Sequence, residues 1–125
     1  MTTMPDGVAA QHSHLSGSIA QIQRNLEAGA NWEQLASDFD CVIDQFELHF
    51  SHEEELMALG DYPAAEGHKQ EHAAFLMRVR ALRAQCNAFQ SELLAALAET
   101  LLVWLRRHER TSDRVAAQYL GIDDW

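Results

Sequence analysis

The stretch HFSHEEELMALGDYPAAEGHKQEH, His49 to His72, decides how the chain folds. It carries two polar pairs, His49/Glu53 and His68/His72, each four residues apart, on either side of a break at LGDYP, 59–63. A helix stacks residues four apart on one face, so each pair acts as a unit. Extending the 3-4 spacing upstream of His49 gives Leu35, Phe39, Val42 and Phe46, with Leu56 beyond Glu53. Extending it downstream of His72 gives Phe75, Val79, Leu82 and Cys86. The polar pairs therefore continue apolar seams, where a helical chain carries its core.

The same spacing runs through two further segments. One reads Val8, His12, Leu15, Ile19, Ile22, Leu26, and the other Leu94, Leu97, Leu101, Trp104, His108. Glycine and proline cluster near the breaks: Pro5 and Gly7, Gly29, LGDYP, and Gly121. They delimit helices over about 8–28, 32–59, 63–86 and 91–110. Asn31 is expected to cap the second, Pro63 to open the third and Ser91 to cap the fourth. No segment alternates with period two for long enough to be a strand. Connections this short favour antiparallel neighbours, so the expected fold is all-α: an up-down-up-down four-helix bundle forming one domain over 1–125.

That topology brings His12, His49, Glu53, His68, His72 and His108 to one end of the bundle. Burying a polar group without partners costs about 1–3 kcal/mol, and a charge more, against about 5–15 kcal/mol of net stability for a domain. A metal satisfies such a cluster, and imidazole with carboxylate suits iron, zinc, copper or nickel better than calcium or magnesium. Five histidines and a carboxylate exceed the four ligands of a structural zinc site, which points to two ions. The Glu-x-x-His pairs of ferritin-like di-iron bundles are absent.

Composition narrows the partners. The 125 residues are 47% hydrophobic with a formal charge of -10, which repels nucleic acid and anionic membranes. No apolar run approaches the roughly 20 residues of a membrane span, and the first residues do not read as a secretory leader, so a cytoplasmic protein is expected. Cys41 and Cys86 read as reduced, structural thiols.

The elements QHSHL (11–15), HFSHEEELM (49–57), YP (62–63), HKQEH (68–72) and WLRRHERTSD (104–113) resemble those of the hemerythrin family, in its bacterial single-domain form. The resemblance implies a non-heme di-iron centre with a bridging oxo or hydroxo group, and reversible O2 binding. It also implies that His68, His72 and His108 hold one iron, His12 and His49 the other, and that Glu53 and Asp113 bridge them. O2 would bind at the iron held by His12 and His49, with Trp104 and Leu105 as pocket walls. Asp113 lies five residues past His108, about 140° around a continuous helix. A break at ERTS is therefore expected, with Thr111 or Ser112 capping a short helix over about 113–120 that returns Asp113 to the site.

One position departs from the family pattern. Where O2-carrying members have a bulky aliphatic residue after His108, this chain has Glu109. Facing the pocket, Glu109 would be a proton donor or extra ligand, favouring a peroxide- or O2-reducing enzyme. Facing solvent, it would pair with Arg106 or Arg110 and leave an O2 carrier, store or sensor. A third possibility is an iron or redox sensor that signals through a partner. The expected partners are O2 or another small oxidant, with an electron donor or signalling protein unidentified.

Overall fold

The computed structural model describes residues 4–123 and 125. Four long helices, α1 (Val8–Glu27), α2 (Trp32–Leu59), α3 (Ala65–Gln85) and α4 (Ser91–His108), are followed by a π-helical turn at Glu109–Asp113 and by α5 (Arg114–Leu120). α1 packs on α2 and α4, and α3 closes the square against α2 and α4. The fold is the four-helix bundle expected. Among the described residues there is no strand, and no helix is long and apolar enough to cross a membrane.

The seams are buried as their spacing requires. Leu15, Ile19, Phe39, Phe46, Val79, Leu97 and Leu101 are fully enclosed and fill the middle of the bundle. Met57, not the expected Leu56, is buried at the end of α2. Asn31 caps α2 as expected, its Oδ1 accepting the Gln34 backbone N–H at 2.8 Å.

Three local expectations are corrected. Pro63 does not open α3: Pro63 and Ala64 sit in a turn closed by the Ala65 N–H donating to the Tyr62 carbonyl (3.1 Å), a use that suits the fixed φ of proline. Ser91 does not cap α4. Gln90 stands at that position, after a turn in which Asn87 accepts the Phe89 N–H with its side chain (3.0 Å) and the Gln90 N–H with its carbonyl (3.2 Å).

The third correction bears on function, because α4 does not break at ERTS. His108 and Arg114, on either side of the π turn, both keep right-handed helical backbone angles, and the chain runs on into α5. Neither Thr111 nor Ser112 caps a helix: the Thr111 hydroxyl donates back to the Arg107 carbonyl (2.8 Å) and the Ser112 hydroxyl to Glu71 (2.7 Å). A π turn bonds i to i+5 and so holds one residue more than an α turn. That extra residue carries Asp113 round to the face of His108 without any interruption.

α5 lies over the metal-facing end of the bundle. Tyr119 meets Tyr62 of the α2–α3 turn with ring centroids 5.2 Å apart. The end of the Leu120 side chain packs against Gly60, and a Cβ there would make it shift.

Candidate metal centre

Each long helix delivers histidine to the same end: His12 from the first turns of α1, His49 and Glu53 from the second half of α2, His68 and His72 from the start of α3, and His108 from the end of α4. Asp113 joins them from the π turn. All seven are buried, Glu53 completely. Their donor atoms form two overlapping groups, His68/His72/His108 and His12/His49, each completed by both Glu53 and Asp113.

The two carboxylates divide their oxygens between the groups. Glu53 turns Oε2 to His49 (2.8 Å) and His12 (3.4 Å), and Oε1 to His72 (3.0 Å) and His68 (3.3 Å). Asp113 turns Oδ2 to His12 (3.0 Å), and Oδ1 to His68 (2.9 Å) and His108 (3.1 Å). The Nε2 atoms of His72 and His108 are 3.1 Å apart, and those of His108 and His68 2.9 Å. Neighbouring ligands of an octahedral ion with ~2.1 Å bonds lie about 3.0 Å apart, and tetrahedral ones about 3.4 Å. The donor spacing thus fits an octahedral ion. Moreover, His49 Nε2, Glu53 Oε2 and Asp113 Oδ1 are buried without an aligned hydrogen bond, the orphaned state that a cation relieves.

Outer groups orient the imidazoles. His49 Nδ1 meets Gln11 Oε1 at 2.7 Å, His72 Nδ1 meets Glu54 Oε2 at 2.8 Å, and His108 Nδ1 meets Glu71 Oε2 at 3.1 Å. An acceptor on Nδ1 places the proton there and leaves the Nε2 lone pair facing inward. Gln11 is itself anchored, its amide nitrogen donating to the Pro5 carbonyl (3.0 Å) and meeting His52 Nδ1 (2.9 Å). In the sequence Glu54 and Glu71 read as part of a solvated face or as groups that orient a ligand histidine, and the structure puts them in the second role; Gln11 lies on the buried spacing of α1 between Val8 and Leu15.

Electrostatics follows from this packing. Burial opposes ionisation of Glu53, yet contacts with His12, His49, His68 and His72 hold it well below the usual carboxylate range. Burial likewise opposes ionisation of Asp113, but His108, His12 and His68 hold it at about 2. Burial works against protonated His12 and His68 too, and the two carboxylates outweigh it, raising both to about 9. Without metal, therefore, protons on His12 and His68 occupy the place of cations.

The remaining expected residues fall on different sides. Trp104 is half-buried and stacks on His108 (4.3 Å, 14°) and on Phe75 (4.0 Å, 16°), which puts it behind the three-histidine group. Phe50 stacks flat on His72 at 3.9 Å. Leu105 is buried and sits one turn before Glu109. Glu109 is half-buried; burial raises its pKa, as does the charge of Asp113, while the charges of His12, His49 and Arg110 lower it. Neither Arg106 nor Arg110 forms an ion pair with it. His14 is half-buried outside both groups.

Comparison with known proteins agrees with the geometry. Residues 3–120 match the family model described as the hemerythrin HHE cation binding domain. A bacteriohemerythrin of Stenotrophomonas maltophilia is 36% identical over 78 residues, 62% of this chain and 50% of that protein. A bacteriohemerythrin of Ralstonia nicotianae is 28% identical over 97 residues, 78% of this chain and 71% of that protein. The chain thus spans about half the length of the first relative. No solved structure gives a significant match. A cation-binding bundle whose seven buried donors come from every long helix and the turn beyond, matched over nearly its full length, belongs to the hemerythrin family.

Proposed function

We propose that the protein is a non-heme di-iron protein that binds O2 reversibly. His68, His72 and His108 hold one iron, His12 and His49 the other, and Glu53 and Asp113 bridge the two. The observation that carries this reading is the division of each carboxylate's oxygens between the two imidazole groups. A single ion would draw both oxygens to one side.

The groups are unequal, with five donors on the three-histidine side and four on the other. By the family resemblance, the ion that His12 and His49 would hold is the one that would take O2. A ferrous pair supplies the electrons that O2 binding requires. The chain's own residues hold the donors in place and keep water out: Gln11 orients His49, Leu105 walls the two-histidine side, and Phe50 and Trp104 enclose the other.

Anaerobic reconstitution tests the count, with about two irons per chain expected; a value near one sinks the reading. Air exposure of the reduced protein should then give an optical spectrum that reverses under vacuum.

The position of Glu109 favours a second reading, a peroxide- or O2-reducing enzyme. A half-buried carboxyl whose pKa burial raises, beside His12 and His49, is suited to donate a proton. On that reading Glu109→Ile lengthens the life of the oxygenated state and lowers turnover with peroxide. An unchanged lifetime removes Glu109 from the chemistry.

A further inference from the structure

Arg106, Arg107 and Arg110 form an exposed face on α4 and the π turn and, with Val103 and Thr111, line a shallow cavity of about 360 Å³. Among the described residues the arginine–carboxylate ion pairs are Arg80–Glu47 and Arg83–Asp40, so none of these three is paired. Three exposed cations thus stand together on one face of a chain of formal charge -10. The helix dipole does not account for it, because α4 continues through the π turn into α5 and leaves no free carbonyl end at His108. Nearby acids offset the face only in part: Glu99 lines the cleft beside Arg107 and the charge of Glu109 acts on Arg110, neither in an ion pair with an arginine, and Glu71 is engaged by His108 and Ser112.

Trp104 borders this face and leads inward. It shares a cleft of about 260 Å³ with Arg78, Glu99 and Arg107, and its indole stacks on His108. A stacked contact thus leads from the cleft beside Arg107 to an imidazole of the metal centre.

We propose that the arginine face of α4 docks an acidic one-electron carrier protein, of the iron–sulfur or flavin class, and that Trp104 passes its electron through His108 to the metal centre. The inference rests on the di-iron reading. One electron leaves the carrier at each encounter, one ferric ion becomes ferrous, and no bond is made or broken; two encounters reduce the pair. Nucleic acid and anionic lipid are less suitable partners, because neither brings an electron to the indole.

Docking is measured on the iron-loaded protein with oxidised plant-type ferredoxin, an acidic carrier with no electron to give. Binding should weaken as salt rises, and the triple variant Arg106→Glu, Arg107→Glu, Arg110→Glu should bind at least about tenfold more weakly. With reduced ferredoxin, Trp104→Leu should dock normally but slow iron reduction about tenfold, and Trp104→Phe, which keeps a ring on His108, should restore most of the rate. Undiminished binding by the triple variant overturns the docking site. So does arginine-dependent binding of a DNA duplex or phosphatidylserine vesicles in preference to ferredoxin. A wild-type rate in Trp104→Leu overturns the route. Because docking is read without electron transfer, a protein that binds ferredoxin yet holds one iron fails the di-iron reading alone. One that takes up O2 but binds no ferredoxin fails this inference alone.

Discussion

Gln11 shows how much of a metal centre lies outside its ligands. Its carbonyl receives the His49 Nδ1 proton, and its amide is tied to Pro5 and His52. Gln11→Leu should weaken iron binding about 10- to 100-fold in a chelator competition, the usual effect of losing such a partner, while Gln11→Glu, which keeps the acceptor, should lose less. His12→Ala should release iron and His14→Ala should not, since only His12 reaches Glu53 and Asp113; the reverse result displaces the first ligand. The histidines were legible in the sequence because each interrupts an apolar seam. Gln11 falls on the same spacing, between Val8 and Leu15, but its role was not legible, because its partners Pro5, His49 and His52 come together only in the fold.

At the level of elements, the π turn does the positioning that a helix break was expected to do. Both solve the same rotation, bringing a residue five places on back to the face of His108, and nothing local in ERTSD distinguishes them. What selects the π turn is tertiary: Asp113 is held by His12, His68 and His108, and Ser112 by Glu71. Inserting one alanine after Thr111 should therefore turn Asp113 from the centre and reduce bound iron. Deleting Thr111 leaves the carboxylate four residues from His108, within about 40° in an ordinary α turn, and should retain more iron. Equal iron in the two variants would contradict this account. The long helices were legible from spacing alone. Their ends were less so, because Pro63 and Ser91 suit a turn or first helical residue as well as the places expected for them.

The whole molecule should respond to pH differently with and without metal. His12 and His68 stand at about 9 in the metal-free fold against an ordinary 6.5, so their contribution is complete below about 6.5 and is lost as pH rises through about 9. Asp113 stands at about 2 against 3.8, and Glu53 is also depressed, so their contribution is complete above the ordinary carboxylate range and, for Asp113, is lost as pH falls from there through about 2. The metal-free protein should then be most stable between roughly pH 4 and 6.5 and weaken toward pH 9. The iron-loaded protein, with no proton on those nitrogens, should lack the alkaline loss. Urea unfolding of both forms at pH 6 and pH 9 measures the difference.

The bundle is divided along its length, with hydrocarbon packing around Phe39, Val79 and Leu97 in one part and ionisable groups in the other. Its two ends therefore owe their cohesion to different things. Stripping the ions should let amides near residues 12, 53 and 113 exchange with deuterium quickly while those near residues 39 and 97 stay protected. The chain would then come apart from one end, like a rope whose binding has been cut.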